Sequence, residues 1–272
     1  MSTFKNYLFG RDGQYYLPTG SARGPWSDKA THGGPPGALL AHAIESQRTD
    51  PELFVSRITI DLFRPVPLTP LELKTRVVRE GKRIKLVDAY IVADGVEVAR
   101  ASGLMLRRNQ GMRGETTLSA SRAIPPWESV PVKHFIEGPL DGVERYHAVM
   151  EVRRIDPVRK GAPMAAWIRL PLTLLPDVPL TPLERAAGLA DFSSAMGMMS
   201  RGVRRSFINA DISIALHREP EGEWICLESA GRGDHDGISS SSVHLHDSRG
   251  LFGHAFANGM ANDDPPLSLA MG

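Results

Sequence analysis

The segment from Thr31 to Ser46 reads THGGPPGALLAHAIES, and its residue types and spacing could support chemistry. Gly33 and Gly34 precede two prolines and an apolar stripe with helical spacing, which predicts a helix that begins at these glycines. The first turn of a helix presents backbone N–H groups at the positive end of the helix dipole. A carbonyl group could be polarised there, since glycines allow a ligand to approach closely. The alternative is that the glycines only form the turn into the helix.

Asp191 is the second residue that stands out. It interrupts the small and apolar segment LTPLERAAGLADFSSAMGMMS, which opens with a Thr181-Pro182 helix signal and continues with helical spacing. This segment predicts a helix packed inside a sheet. A buried carboxylate is costly without partners, so Asp191 is a candidate catalytic residue; a cap or a subunit contact is the structural alternative.

Other polar residues give weaker signals. The serines of GISSSSVHLHD lack a Gly-x-Ser-x-Gly elbow, which disfavours a serine hydrolase. His244 and His246 share one face of the same predicted strand, but the sequence shows no third ligand, so no metal site is predicted. His32 has no acidic partner at a readable spacing, and we expect it to orient its loop rather than act as a base. Cys226, the single cysteine, is expected to be a small buried hydrophobe.

Composition limits the classes of function. The chain has 272 residues, of which 42% are hydrophobic, so it can bury a substantial core. Its formal net charge of +1 does not suggest binding to nucleic acid or to an anionic membrane surface. The N-terminus lacks a signal-peptide pattern, and no segment approaches the ~20 apolar residues of a membrane span. We therefore expect a cytoplasmic protein.

The elements that would position these residues are strands around helices. FVSRITIDLF places Ile58, Ile60 and Leu62 on one face of a half-buried strand. Three further strands follow, punctuated by Glu80-Gly81 and Asp94-Gly95, which indicates an antiparallel meander. Residues 109–143 are polar and rich in glycine, proline and serine, as is typical of a linker.

The second half of the chain repeats this order of elements. ITIDLFRPVPLTPLELKTRV and ISIALHREPEGEWICLESAG share a strand, a turn and a strand at an offset of about 154 residues. The pattern predicts a tandem duplication of one α+β unit. The predicted domains are residues 12–108 and 144–260, joined by the linker 109–143.

A helix followed by a meander that wraps it resembles the hotdog fold, and two such units resemble the double-hotdog acyl-CoA thioesterases of type II. The resemblance is carried by HGGPPGALLAHAIE and RITIDLFRPVPLTPLELKTRVVREGKRI in the first half. In the second half it is carried by LADFSSAMG, INADISIALHREPEGEW and DSRGLFGHAFANG. It covers nearly the whole chain apart from the linker. It implies two antiparallel sheets, each wrapped around a central helix.

The same resemblance implies site residues. The family's aspartate, which positions the attacking water with a threonine and a glutamine, falls on Asp191. The threonine position falls on Asn209, whose amide can also hold a water. The glutamine position falls on Ala257, which departs from the family pattern. The adjacent Asn258 points to the opposite face of a regular strand, and only a bulge would turn it inward.

The strand that carries Asn209 has a second predicted feature. Strict alternation places Asn209, Asp211 and Ser213 on one polar face, while Ile208 and Ile212 face away.

These observations predict an enzyme that hydrolyses a fatty or related acyl-CoA thioester by direct attack of water. Asp191 and Asn209 are the predicted catalytic residues, and His32, Gly33 and Gly34 are the predicted substrate-binding residues. No cofactor or metal is expected, and the partner is the acyl-CoA substrate. Pairing of chains through their sheets is left open. The alternatives are a noncatalytic acyl-thioester or lipid-binding protein and, less favoured, a hydratase, which needs an Asp-His pair in one loop that the sequence does not show.

Overall fold

Twelve strands and three α-helices make up the computed structural model, which describes residues 5–109, 111–112, 123–133, 143–157, 162–201 and 206–262. The first six strands are β1 Phe9–Asp12, β2 Tyr15–Pro18, β3 Leu53–Asp61, β4 Leu71–Glu80, β5 Ile84–Ala93 and β6 Val96–Arg107. The last six are β7 Glu151–Ile155, β8 Ala165–Arg169, β9 Ser206–Leu216, β10 Trp224–His235, β11 Ile238–Asp247 and β12 Gly250–Asn262. The helices are α1 Gly34–Glu45, α2 Pro182–Ala190 and α3 Ser193–Arg201.

The strands form an antiparallel sheet in the order β1-β2-β4-β5-β6-β3-β9-β12-β11-β10-β8-β7. The first six positions come from the first half of the chain and the last six from the second half, and β3 pairs with β9 at the junction. The predicted double hotdog is confirmed. The two predicted sheets are joined edge to edge, because β3 and β9 would otherwise leave unpaired backbone groups.

The junction has an internal two-fold relation. Thr59 on β3 lies opposite Ser213 on β9, and 213 − 59 = 154, which is the offset of the sequence repeat. Ile58 pairs with Ile214, and Ile60 pairs with Ile212. Thr59 therefore faces its own repeat counterpart, whereas Ile58 faces the counterpart of Ile60 (60 + 154 = 214), as a two-fold axis between Thr59 and Ser213 requires.

A β-bulge is repeated on both sides of this axis. On β3, Ser56 is the extra residue opposite β6, between Val55 and Arg57. On β9, Ala210 is the extra residue opposite β12, between Asn209 and Asp211. Since 210 − 56 = 154, the irregularity belongs to the repeated unit. A bulge inserts one residue into the alternation and so changes which side chains face inward.

The central helices are α1, which packs on β4, β5 and β6, and α3, which packs on β10, β11 and β12. Leu39, Leu40 and Ile44 of α1 are fully buried, and burial of each such side chain contributes about 1.5–3 kcal/mol. The additional helix α2 packs against α1. It begins with a capping box in which Thr181 and Glu184 each accept a hydrogen bond from the other's backbone.

The single helix predicted after Thr181 is wrong, because the segment breaks between α2 and α3. Asp191 caps the C-terminus of α2, and Ser193 opens α3. The Ser193 hydroxyl donates to the carbonyl of Ala190 at 2.6 Å. Such local bonds from serine compete with the regular helical pattern. The break places Asp191 between two helices instead of on one continuous surface.

The part of the linker that is described covers the outer face of the second half. The Trp167 indole donates to the carbonyl of Pro125 at 2.8 Å, and Val130 packs with Trp167 and Cys226 in a small apolar cluster. Cys226 is fully buried. Much of the predicted linker 109–143 lies outside the described residues, and the predicted domain boundaries stay predictions. No helix within the described ranges is long and apolar enough to cross a membrane.

Candidate active site

Asp191 lies where the N-terminus of α1 meets the break between α2 and α3. Its Oδ2 is 2.6 Å from Nδ1 of His32, and its Oδ1 accepts from the Asn209 side-chain amide at 2.7 Å. The Asp191 side chain is only 6% exposed. The candidate site therefore joins one residue from the first half of the chain to two from the second.

The contact with Asp191 corrects the expectation for His32, which has an acidic partner after all. The partner is 159 positions away (191 − 32), so no local spacing could reveal it. The pair spans the two halves and is not the single-loop pair that was considered for a hydratase. Since Oδ2 of Asp191 accepts only, the close contact requires a proton on Nδ1 of His32.

The backbone amide of Gly34 completes the environment of Asp191. It lies 3.3 Å from Nδ1 of His32, but a protonated nitrogen cannot accept a hydrogen bond. We therefore assign its acceptor as the Asp191 carboxylate. Burial acts to raise the pKa of Asp191, but His32, Asn209 and Gly34 together hold this pKa below the ordinary value of 3.8. Asp191 is thus an anion at neutral pH.

Helix ends also favour the anion. Asp191 lies just before α3 and against the first turn of α1, so two positive helix ends face it. The negative end of α2 opposes them. The hydrogen bonds to Asp191 outweigh this opposition, since its pKa is lowered.

Aromatic rings hold the imidazole in place. The His32 ring stacks on Phe192 with 4.9 Å between centroids, and Tyr146 lies 5.1 Å away on a tilted plane. The Tyr146 hydroxyl donates to the carbonyl of Gly188 at 3.0 Å. Burial and the charge of Asp191 raise the pKa of Tyr146 well above 10. Sequence reasoning missed Tyr146, since a lone aromatic residue gives no signal for a site; it lies in a short 3₁₀ turn, Tyr146–Ala148.

The two glycines are needed for close approach. A Cβ on Gly33 would lie 2.7–2.8 Å from both carboxylate oxygens of Asp191. A Cβ on Gly34 would meet the Gly188 carbonyl and the Tyr146 ring. The helix start offers fewer free backbone N–H donors than predicted. Pro35 and Pro36 have no N–H, and the Gly34 amide donates to Asp191. Among the described residues, the Gly33 amide has no hydrogen-bond partner.

The bulge at Ala210 places Asn209 in the site. Strict alternation is wrong here, because Ile208 is 36% exposed whereas Asn209 turns inward on the same side as the fully buried Ile212. The Asn209 amide nitrogen donates to the backbone carbonyl and to Oδ1 of Asp191, both at 2.7 Å. Its own Oδ1 is buried and has no hydrogen-bond partner within the described part of the chain.

Ala257 faces inward on β12 and is 1% exposed, opposite Ile212 on one side and Ser241 on the other. Asn258 is exposed, and its backbone N–H donates to Asp211 at 2.8 Å. The nearby bulge is on β9 and leaves Ala257 and Asn258 on opposite faces. Asn258 therefore does not supply an amide to the site.

The expectation that His244 and His246 lack a third partner is wrong. Glu228 on β10 lies directly opposite His244, and its Oε2 contacts ring nitrogens of both histidines. This cluster is on the outer face of the sheet, away from Asp191. Glu228 was not found from the sequence because it is 16 residues from His244 and only strand pairing brings the two together.

Comparison with known proteins gives the family. The sequence profile of the acyl-CoA thioesterase N-terminal domain matches residues 22–106, and that of the acyl-CoA thioesterase C-terminal domain matches residues 119–256. The chain belongs to the acyl-CoA thioesterase family. No curated protein sequence matches this thioesterase-family chain significantly.

Solved structures share the fold along nearly the whole chain. A protein from Novosphingobium aromaticivorans, described as a thioesterase, is 20% identical with a TM-score of 0.75, over 94% of this chain and 98% of its own. A hotdog-fold protein of unknown function from Alicyclobacillus acidocaldarius is 15% identical with a TM-score of 0.71, over 94% and 96%. An acyl-CoA thioesterase II from Mycobacterium marinum is 14% identical with a TM-score of 0.66, over 92% and 94%. At these identities the likeness concerns the fold.

Proposed function

We propose that the chain hydrolyses a fatty or related acyl-CoA thioester by direct attack of water, with His32, Asp191 and Asn209 at the reacting centre. The observation that supports this most strongly is the buried Asp191 carboxylate, which binds His32 on one oxygen and Asn209 on the other. Family membership supports an acyl-CoA substrate. The cytoplasmic location and the oligomeric state stay predictions.

In this mechanism His32 is the base and Asp191 orients it. A carboxylate with a lowered pKa is a weak proton acceptor, so Asp191 is better suited to orient a base than to deprotonate water itself. With a proton held on Nδ1 by Asp191, the imidazole presents the lone pair of Nε2. The His32 side chain is 12% exposed, against 6% for Asp191.

The water is held by Asn209. Its Oδ1 is buried and without a partner among the described residues, which is costly unless a donor such as water occupies the position. His32 removes a proton from this water as its oxygen attacks the thioester carbonyl. The carbon–sulfur bond then breaks, and His32 returns the proton to the leaving CoA thiolate. A carboxylic acid and free CoA result.

The developing negative charge on the carbonyl oxygen faces the N-terminus of α1. We assign the Gly33 amide as its donor, because the Gly34 amide is engaged by Asp191 and the next two residues are prolines. Loss of one donor to an oxyanion costs about 2.7–4 kcal/mol, so a site with a single amide donor would be a slow one.

Release of free thiol from acyl-CoA esters of increasing chain length tests this proposal. We expect turnover with at least one chain length and its loss in His32→Ala. If the protein binds acyl-CoA but releases thiol from none of these esters, it is the noncatalytic binder and the proposal is wrong. The His32–Asp191 pair spans the two halves, unlike the single-loop pair expected of a hydratase, so hydration of a 2-enoyl-CoA stays the less favoured alternative. Loss of the enoyl absorbance without thiol release would identify the hydratase.

A further inference from the structure

The outer face of the second half carries a group of side chains that the thioesterase site does not use. Val243 and Leu245 of β11 and Leu227 of β10 point into the core, so the alternating residues Glu228, His244 and His246 point to the other face. Glu228 is fully buried and His246 is 3% exposed. A carboxylate and two imidazoles are side chains that bind transition metals, and here they lie together on one face of the sheet.

The three ligand atoms converge. Oε2 of Glu228 is 3.0 Å from Nε2 of His246 and 3.3 Å from Nδ1 of His244, and all three atoms lie within 4.8 Å of one another. A tetrahedral ion with bonds of about 2.0–2.1 Å requires its ligand atoms to be about 3.3 Å apart. Small rotations of the side chains would therefore place all three at bonding distance from one ion.

The backbone already fixes this arrangement. His244 is directly opposite Glu228 in the β10–β11 ladder, and His246 is opposite Cys226, two pairs along and on the same face. The ligands thus come from two paired strands whose register is set by hydrogen bonds and by the core residues between them. His254 of β12 is opposite His244, and its ring lies 6.5 Å from that of His244.

We propose that Glu228, His244 and His246 bind a divalent first-row transition metal of the zinc class, with water or His254 in the remaining position. Two imidazoles and one carboxylate suit zinc, and the neutral imidazoles with an anionic carboxylate lower the charge of the ion. The ion would join β10 to β11 on the face opposite the thioesterase site. Its role would be structural and separable from catalysis.

Protein without a histidine tag is stripped with a chelator and titrated with Co²⁺, followed by competition with Zn²⁺. We expect one equivalent of Co²⁺ per chain with visible d–d absorption and an increase in Tm of roughly 3 °C or more at saturating Zn²⁺. His244→Ala and Glu228→Gln should each weaken Zn²⁺ binding at least about a hundredfold, since even outer-shell partners of a metal are worth 10–100-fold.

The matched control is His235→Ala, whose side chain is 91% exposed in the same half of the chain, and it should bind as the parent does. His244 is 24% exposed, so its truncation should leave the fold intact even if Glu228→Gln does not fold. The proposal is overturned if the parent binds Zn²⁺ no more tightly than His244→Ala. In that case the three side chains form only a hydrogen-bonded network.

Discussion

Replacement of Asp191 by asparagine changes one oxygen of the site to an NH₂ group and removes a charge. The oxygen of the new amide can accept from Asn209, but its NH₂ would face Nδ1 of His32. In the parent, this nitrogen donates to Asp191. Two donors cannot remain in contact, so the imidazole must move its proton to Nε2 and lose the lone pair that accepts the proton from water. In serine proteases, an Asp→Asn change that leaves the catalytic histidine in the wrong tautomer lowers kcat about 10⁴-fold.

We expect a decrease of ~10³–10⁴ in kcat for thiol release, which corresponds to about 4–5.5 kcal/mol of transition-state stabilisation at 1.36 kcal/mol per tenfold. KM should change far less. The matched control is Asp211→Asn on β9, the strand that carries Asn209, because its amide oxygen can still accept from the Asn258 backbone. A folded Asp191→Asn enzyme with kcat within tenfold of the parent would show that Asp191 is structural.

The same substitution should change the response to acid. The folded-state pKa of Asp191 is below 3.8, so its ionised form stabilises the fold above pH 3.8, and this contribution is lost as the pH falls through the folded-state value. Asp191→Asn should therefore lose less stability than the parent between pH 5 and the acid transition, as measured by thermal unfolding at a series of pH values. An identical acid dependence would show that the hydrogen bonds to Asp191 do not outweigh its burial.

Three further substitutions test the neighbourhood. Gly33→Ala should lower kcat about a hundredfold because its Cβ displaces the Asp191 carboxylate, whereas Gly233→Ala, where a Cβ meets nothing within 4 Å, should not change it. Asp247→Ala should lower the free energy of unfolding in urea by about 3 kcal/mol, since the buried carboxylate binds Arg218 and two backbone amides; a loss under about 1 kcal/mol would contradict this. Ala257→Gln should raise turnover at least about tenfold by adding a polar contact to the water, at a stability cost of about 1–3 kcal/mol. A folded variant at the parental rate would refute that role.

The sequence allowed the fold to be predicted because its signals are local and repeated. Alternation in ITIDLF, the glycines before α1 and the offset of 154 residues each depend on a few neighbouring residues. The interior position of Ala257 also followed from alternation, since the strand is regular at that point.

The site was only partly predictable because its contacts are not local. His32 and Asp191 meet only when two halves of the chain pack together. The bulge at Ala210 depends on how β9 pairs with β12, so alternation within β9 alone gave the wrong face for Ile208. Glu228 was missed for the same reason, because the register of two strands brings it to His244.

The two-fold relation between the halves determines how many substrates one chain can process. At the repeat offset, the counterparts of Asn209 and Ala257 are Val55 and Gly103 (209 − 154 and 257 − 154). Val55 is turned inward by its own copy of the bulge, yet it is apolar, and Ile44 fills the space beside Gly103. The first half therefore has no polar group at these positions, and side chains fill the space where a second site would lie. Each chain should turn over one thioester at a time. The first half of the chain supplies His32 and the N-terminus of α1 to the site that the second half completes.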